Sequence, residues 1–211
     1  PFVAYGYDEY CSTYESPQPD SLLTATDWIW SPQDSVKRWN RTAYFVDKTL
    51  AFLERHRGEA CFVNLWPDDM HTPWVGNFEQ QQVFPDGQES EKNFRVVLAE
   101  YDRQIGRLLR EIKNMNLENN TIVIFTSDNG PWLVQRLNGG SAGALRQGKS
   151  TCWEGGLRVP AVFRMPGRIA PCTQQGMMAT MDILPTFLNM AGIPLPEGVT
   201  LDGMDQTPML W

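Results

Sequence analysis

Apolar side chains recur along this chain in two different rhythms. Between about residues 42 and 57, Ala43, Val46, Leu50 and Leu53 fall at three- and four-residue steps, which places them on one face of an amphipathic helix. Arg55-His56-Arg57-Gly58 then has the basic residues and the glycine of a helix C-terminus. Residues 90 to 115 repeat the pattern more strongly, with Phe94, Val97, Tyr101, Ile105, Leu108 and Ile112 in register and charges on the remaining face. The second rhythm is continuous. Cys61-Phe-Val-Asn-Leu-Trp66 and Thr121-Ile-Val-Ile-Phe-Thr126 are short, nearly unbroken apolar runs, the pattern of strands buried on both faces of a sheet. Arg158 to Arg164 predicts another strand, and Met181 to Met190 a helix whose Pro185 is tolerable in a first turn.

Strand, long connection with a helix, strand is the order of an α/β fold with a largely parallel sheet flanked by helices. Ligands of such sheets sit beyond the carboxyl ends of the strands. Two polar clusters, around His71 and around Asp128, follow the two apolar runs at that end. Residues 127 to 157 are Gly-rich and polar, too long for a plain turn, and so read as a functional loop. Residues 1 to 40 mix Pro, Ser, Asp, Tyr and Trp without a sustained period, an irregular segment that could face a substrate.

Composition narrows the function classes. At 211 residues, 42% hydrophobic and 20% charged, the chain is of ordinary globular make-up and long enough for one well-packed core. The net charge of -7 and the lack of a basic stripe argue against nucleic-acid binding. No run of apolar residues is long enough to span a bilayer, and Pro1-Phe-Val-Ala-Tyr-Gly-Tyr7 has no signal-peptide pattern. Cys11, Cys61, Cys152 and Cys172 are widely separated without CxxC spacing, which disfavours zinc and leaves disulfides or free buried thiols open. Asn40 and Asn119 each begin an N-x-T sequon, relevant only to a eukaryotic secretory protein.

Three places carry candidate chemistry. Ser127-Asp128-Asn129-Gly130 would present a carboxylate and an amide oxygen together at a strand end, donors that suit a hard cation such as calcium or magnesium; a bare Asp-Asn-Gly also closes strands as an Asx turn. Gly148-Lys149 opens a Gly-bounded loop running to Glu154-Gly155-Gly156, and its ammonium is a compact charge able to hold an anionic oxygen, or simply a surface lysine. Gly143 precedes it, but no strand–loop–helix context supports a phosphate cradle. His71, in Asp68-Asp69-Met70-His71-Thr72-Pro73-Trp74, could donate to an anionic oxygen or protonate a leaving group, or be structural. The other histidine, His56, is read as a solvated partner of the helix dipole.

Taken together, Thr121-Ile-Val-Ile-Phe-Thr-Ser-Asp128-Asn129-Gly130-Pro131, Gly148-Lys149-Ser-Thr-x-x-Glu154-Gly155-Gly156-x-Arg158-Val-Pro160, Met181-Asp-Ile-Leu-Pro185-Thr186 and Leu201-Asp-Gly203-x-Asp205 resemble the formylglycine-dependent sulfatases, arylsulfatases included. The resemblance runs over about residues 42 to 211 and implies an alkaline-phosphatase/sulfatase-like fold. It implies that Asp128 and Asn129 are calcium ligands, with magnesium an alternative, that Lys149 contacts both sulfate and nucleophile, and that His71 binds sulfate. Glu154 to Gly156 read as loop architecture. The implied substrate is a sulfated small molecule or glycan, and the compartments that suit the family are periplasmic, secreted or lysosomal.

One departure is large. The family makes its nucleophile from a cysteine in Cys-x-Pro-Ser-Arg, and none of the four cysteines has that context. The early Asp-Asp metal pair and the small C-terminal sheet of the family are also missing, so residues 1 to 211 are expected to form the central to C-terminal part of a catalytic domain, inactive alone, with formylglycine in a segment that is not present. Two other functions stay open: a non-catalytic relative that binds a sulfated glycan or protein, and a metal-dependent phosphoesterase of the alkaline-phosphatase-like group. The latter is disfavoured because two histidines are few for a two-metal site.

Overall fold

The computed structural model describes residues 2–13, 16, 18–23, 34–77, 91–133, 140–195 and 197–211. The chain forms two compact units, one of Pro1–Met115 with Asp128–Val159 and one of Asn116–Ser127 with Pro160–Trp211, where length alone suggested a single core.

In the first unit the two periodic segments are helices with close to their expected bounds, α1 over Arg41–Arg55 and α2 over Glu91–Asn114. They pack on each other because each buries one stripe: Phe45 and Val46 on α1, Val97, Leu108 and Ile112 on α2. Arg107 ties them at the rim, donating to the Asp47 carboxylate at 2.6 Å and to the Ala43 carbonyl at 3.0 Å. At the C-terminus of α1, His56 sits between the Glu59 and Glu9 carboxylates at 2.9 and 3.2 Å, so it is an ion-pair partner and not a merely solvated one. Those two hydrogen bonds, Glu59 first, raise its pKa.

The run Cys61–Trp66 departs from expectation. It forms no strand, and Phe62 and Trp66 are 61% and 82% exposed instead of buried on both faces. An apolar run becomes a strand only where a neighbour's N–H and C=O groups complete the ladder. β1, Val123–Thr126, is a strand and pairs antiparallel with β2, Ala161–Arg164, in the register Val123↔Arg164 and Thr126↔Ala161. The sheet of the described residues is this one antiparallel pair, and β2 is shorter than the predicted Arg158 to Arg164 run.

β1 and β2 lie in the second unit. There a 3-10 turn at Thr180–Asp182 leads into α4, Ile183–Ala191, a numbering that follows a short α3 at Glu154–Leu157 in the first unit. Pro185 lies buried in the first turn of α4, where its missing N–H costs nothing. Gly192, at φ +66°, ends the helix, its amide returning to Asn189 and that of Ile193 to the Leu188 carbonyl. A final turn, α5, spans Thr207–Leu210.

Asp182 explains why two of the sequence blocks go together. Its carboxylate accepts the amides of Ala179 and Met204, each at 2.8 Å, and its carbonyl accepts the Thr186 hydroxyl at 2.6 Å. Thr186 in turn accepts the amide of Gln206 at 2.9 Å. A Cβ on Gly203 would stand 2.0 Å from the Met181 carbonyl oxygen, so only glycine admits this approach. The Met181–Thr186 and Leu201–Asp205 blocks are therefore one structural clasp.

Candidate functional site

Asp128 and Asn129 follow β1 in the chain after Ser127, Asp128 exposed and Asn129 half-buried. Their position is set by the residues that follow. The amide of Gly130 donates to the Gly156 carbonyl at 2.9 Å, and the amide of Lys149 donates to the Pro131 carbonyl at 2.9 Å. A third bond, from the Gly155 amide to the Arg146 carbonyl at 2.9 Å, closes the Lys149 loop on itself. The metal candidates and the lysine thus belong to one block, joined through main chain.

Glycine is what permits the block. A Cβ on Gly130 would lie 1.8 Å from the Gly155 carbonyl oxygen, one on Gly148 2.2 Å from that of Pro131, and one on Gly156 2.4 Å from that of Thr151. Inside the loop, Thr151 donates to the Gly148 carbonyl at 2.8 Å, and the Arg146 guanidinium stacks over the Trp153 ring at 3.5 Å. Gln147 and Ser150, on either side of Gly148-Lys149, have φ of +62° and +69°, a left-handed backbone that non-glycine residues adopt at a cost. Strain of this kind persists where surrounding structure over-determines it, and it gathers at functional loops. Here it brackets the lysine.

The oxygen donors fit a hard cation in part. Asp128 supplies a carboxylate and Asn129 an amide, the ligand types calcium and magnesium prefer. Among the described residues no group of three or more His, Cys, Asp or Glu side chains is gathered for a metal. Asp128 and Asn129 would accordingly be two members of a coordination sphere of about six to eight oxygens.

His71 stands on a separate turn of the same unit. It is exposed, its Nδ1 lies 2.8 Å from the Thr72 carbonyl, and the Thr72–Pro73 peptide bond is cis. Beneath it is a buried polar network that sequence reasoning missed. Arg38 and Arg41, 1% and 0% exposed, converge on Asp68: Arg38 donates to its carboxylate and carbonyl, and Arg41 to the carboxylate at 2.7 Å. Arg41 also reaches Asp34 at 3.3 Å. Asp69, 3% exposed, accepts from the Thr42 amide at 3.2 Å and from the Thr42 hydroxyl. Burial, with the neighbouring Asp68 charge adding to it, pushes the Asp69 carboxyl up to about 6 against the pull of Thr42 and Arg38. Arg38 lies in the segment read as irregular. The available hint was a pair of arginines at a helix start three residues apart, facing an Asp-Asp pair before a histidine.

Of the two possibilities left open for the four cysteines, they are free thiols and not disulfides, three of them exposed and Cys11 half-buried. Burial and the adjacent Asp20 carboxylate push Cys11 up to about 12, which leaves it an unreactive thiol.

Comparison with known proteins bears on what this arrangement is for. Residues 5–193 match the family model described as Sulfatase. Arylsulfatase A of Bos taurus is 37% identical over 156 residues, covering 74% of this chain and 30% of the relative. N-acetylgalactosamine-6-sulfatase of Mus musculus is 32% identical over 175 residues, covering 81% of this chain and 33% of the relative. Two solved structures superpose well. One, from work on the metabolism of multiple glycosaminoglycans by Bacteroides thetaiotaomicron, has a TM-score of 0.71 at 28% identity, covering 82% of this chain and 37% of that one. The other, Ps i-CgsB in complex with k-i-k-neocarrahexaose, has a TM-score of 0.69 at 28% identity, covering 79% and 37%. The chain thus spans about a third of the length of each of these relatives.

Proposed function

Because the chain belongs to the sulfatase family, we propose that it forms part of an enzyme that hydrolyses sulfate esters, in which these residues hold the sulfate and part of a metal site. The carrying observation is the nested block that ties Asp128-Asn129 to Lys149 through the Gly130–Gly156 and Lys149–Pro131 hydrogen bonds. A sulfate group beside that block would meet the Lys149 ammonium, which offsets its charge; being compact, the ammonium adapts to a tetrahedral anion. His71 would donate to a second sulfate oxygen or protonate the departing alcohol. Asp128 and Asn129 would hold calcium, or magnesium, which when bound supplies positive charge against the sulfate oxygens.

No nucleophilic step is derived from these residues, since none of the four cysteines stands in the Cys-x-Pro-Ser-Arg context that formylglycine requires. The 211 residues alone are accordingly inactive, and the whole protein carries the turnover. The substrate class is a sulfated small molecule or glycan, a reading supported by the sulfatase names of the relatives and the oligosaccharide bound to Ps i-CgsB. The family setting favours a periplasmic, secreted or lysosomal location. No helix of the described residues is long and apolar enough to cross a membrane.

Calorimetric titration with sodium sulfate tests the reading. Binding in calcium-containing buffer should be lost in Lys149→Met, and the thermal stabilisation by calcium should be lost in Asp128→Asn. Sulfate affinity equal to the parent chain in Lys149→Met would remove the lysine from the site. Robust aryl sulfate turnover by the 211 residues would overturn their inactivity. A non-catalytic sulfate-binding relative differs only at the nucleophile, and the same aryl sulfate assay on the whole protein separates the two.

A further inference from the structure

His71 itself is exposed, yet the main chain of its turn is held from inside the unit. The carbonyl of Asp68 accepts from the His71 amide at 3.0 Å and also from the Arg38 guanidinium, and the His71 carbonyl accepts from the same guanidinium at 2.9 Å. The Met70 carbonyl accepts the Trp74 indole N–H at 3.0 Å, and Trp74, itself buried, meets Phe94 of α2 edge-on at 5.1 Å between ring centroids. Three of four consecutive carbonyls in the turn are thereby pinned by buried side chains.

Arg38 does the most of this. Its planar fork reaches the Asp68 carboxylate, the Asp68 carbonyl and the His71 carbonyl at once, while Arg41 holds the same carboxylate from the first turn of α1. A lysine ammonium has no such fork and could not span these acceptors in one geometry. A carbonyl only accepts, so the 2.8 Å contact to Thr72 keeps a proton on His71 Nδ1 and leaves Nε2 as the nitrogen available to a ligand; to donate to an anion Nε2 must be protonated too, so the anion-binding form is the imidazolium. Ring orientation and tautomer both depend on where the backbone of His71 and Thr72 stands.

We propose that Arg38 is the positioning residue for His71: by bridging the carbonyls of Asp68 and His71 to the Asp68 carboxylate, it keeps Nδ1–H on the Thr72 carbonyl and sets the orientation in which the His71 imidazolium offers its Nε2–H to an anion. This rests on the sulfate-binding reading for the anion, but not for the clamp itself.

The two parts separate in one experiment on the 211-residue chain, using nitrogen-15 spectra of its two histidines, with His71 assigned by the His56→Gln variant. Each protein is titrated with sodium sulfate against sodium chloride of equal ionic strength. In the parent chain the neutral ring of His71, observed at high pH, should show the Nδ1–H tautomer, and the protonated ring, observed at low pH, should shift at Nε2 with sulfate. In Arg38→Met the tautomer preference should disappear and the sulfate affinity read at His71 should fall at least about tenfold, and in Arg38→Lys by about three- to tenfold. The Arg55→Gln control, on the exposed end of α1, should match the parent. A folded Arg38→Met protein with parental tautomer and parental sulfate response overturns the clamp. Should Arg38→Met fail to fold, Arg38→Lys decides, and a parental His71 in that variant overturns it equally. A parent chain whose His71 ignores sulfate while its tautomer still depends on Arg38 would instead refute the sulfate-binding role and leave the clamp standing.

Discussion

The amide of Gly130 donates to the carbonyl of Gly156 at 2.9 Å, and a Cβ on Gly130 would fall 1.8 Å from the Gly155 carbonyl oxygen. Residues 26 apart are thus in main-chain contact, and that contact carries Asp128 and Asn129 to the loop of Lys149. No side-chain movement relieves such a clash, because the obstacle is backbone. Gly130→Ala should therefore destabilise the chain by about 2–4 kcal/mol, read by urea unfolding, and weaken calcium and sulfate binding together. Parental stability in this variant would show that the two segments separate without cost.

Ser150 offers the opposite test. Its φ of +69° is strained for a residue with a Cβ, whereas glycine accepts it freely. Ser150→Gly should leave stability unchanged or raise it by up to about 1 kcal/mol, while loosening the loop and lowering sulfate affinity at Lys149. A loss of stability would mean that the hydroxyl, and not the backbone, is what the position requires.

Asp69 makes stability depend on pH in a direction opposite to an ordinary paired carboxylate. Its folded pKa near 6 lies above the reference value of 3.8, so protonation favours the fold. That contribution is complete below about pH 3.8 and is lost as pH rises through about 6, a change of roughly 2–3 kcal/mol. Asp69→Asn, which cannot ionise but can still accept from Thr42, should gain on the parent chain between pH 4 and pH 8 by about that amount. Urea midpoints across this range check it, and an unchanging difference would place Asp69 in wetter surroundings than its 3% exposure implies.

The Asp182 clasp should behave in the usual sense. The amides of Ala179 and then Met204 hold its carboxylate below the ordinary range, so its contribution is present above the unfolded pKa and lost as pH falls through the lowered folded one. Asp182→Ala leaves both amides without an acceptor and should cost about 2 kcal/mol at neutral pH. Sulfate binding at Lys149 gives the control: it should survive, because Asp182 belongs to the other compact unit.

Short-range order was readable from residues alone. The two long helices follow from the spacing of apolar side chains, which every turn of a helix repeats locally, and α1 and α2 end within two residues of their predicted bounds. The motif blocks were legible because their order and glycines are linear facts, and those glycines proved to be contact points at Gly130, Gly148, Gly156 and Gly203. What sequence could not decide were relations made only when distant segments meet. Cys61–Trp66 has the composition of a buried strand and is exposed and unpaired, because ladder formation depends on a neighbour and not on the run itself. Arg38, Arg41, Asp68 and Asp69 look like surface charges in one dimension. They are largely buried because each finds an opposite charge or hydrogen-bond partner across the turn that carries His71, a compensation that exists only in three dimensions.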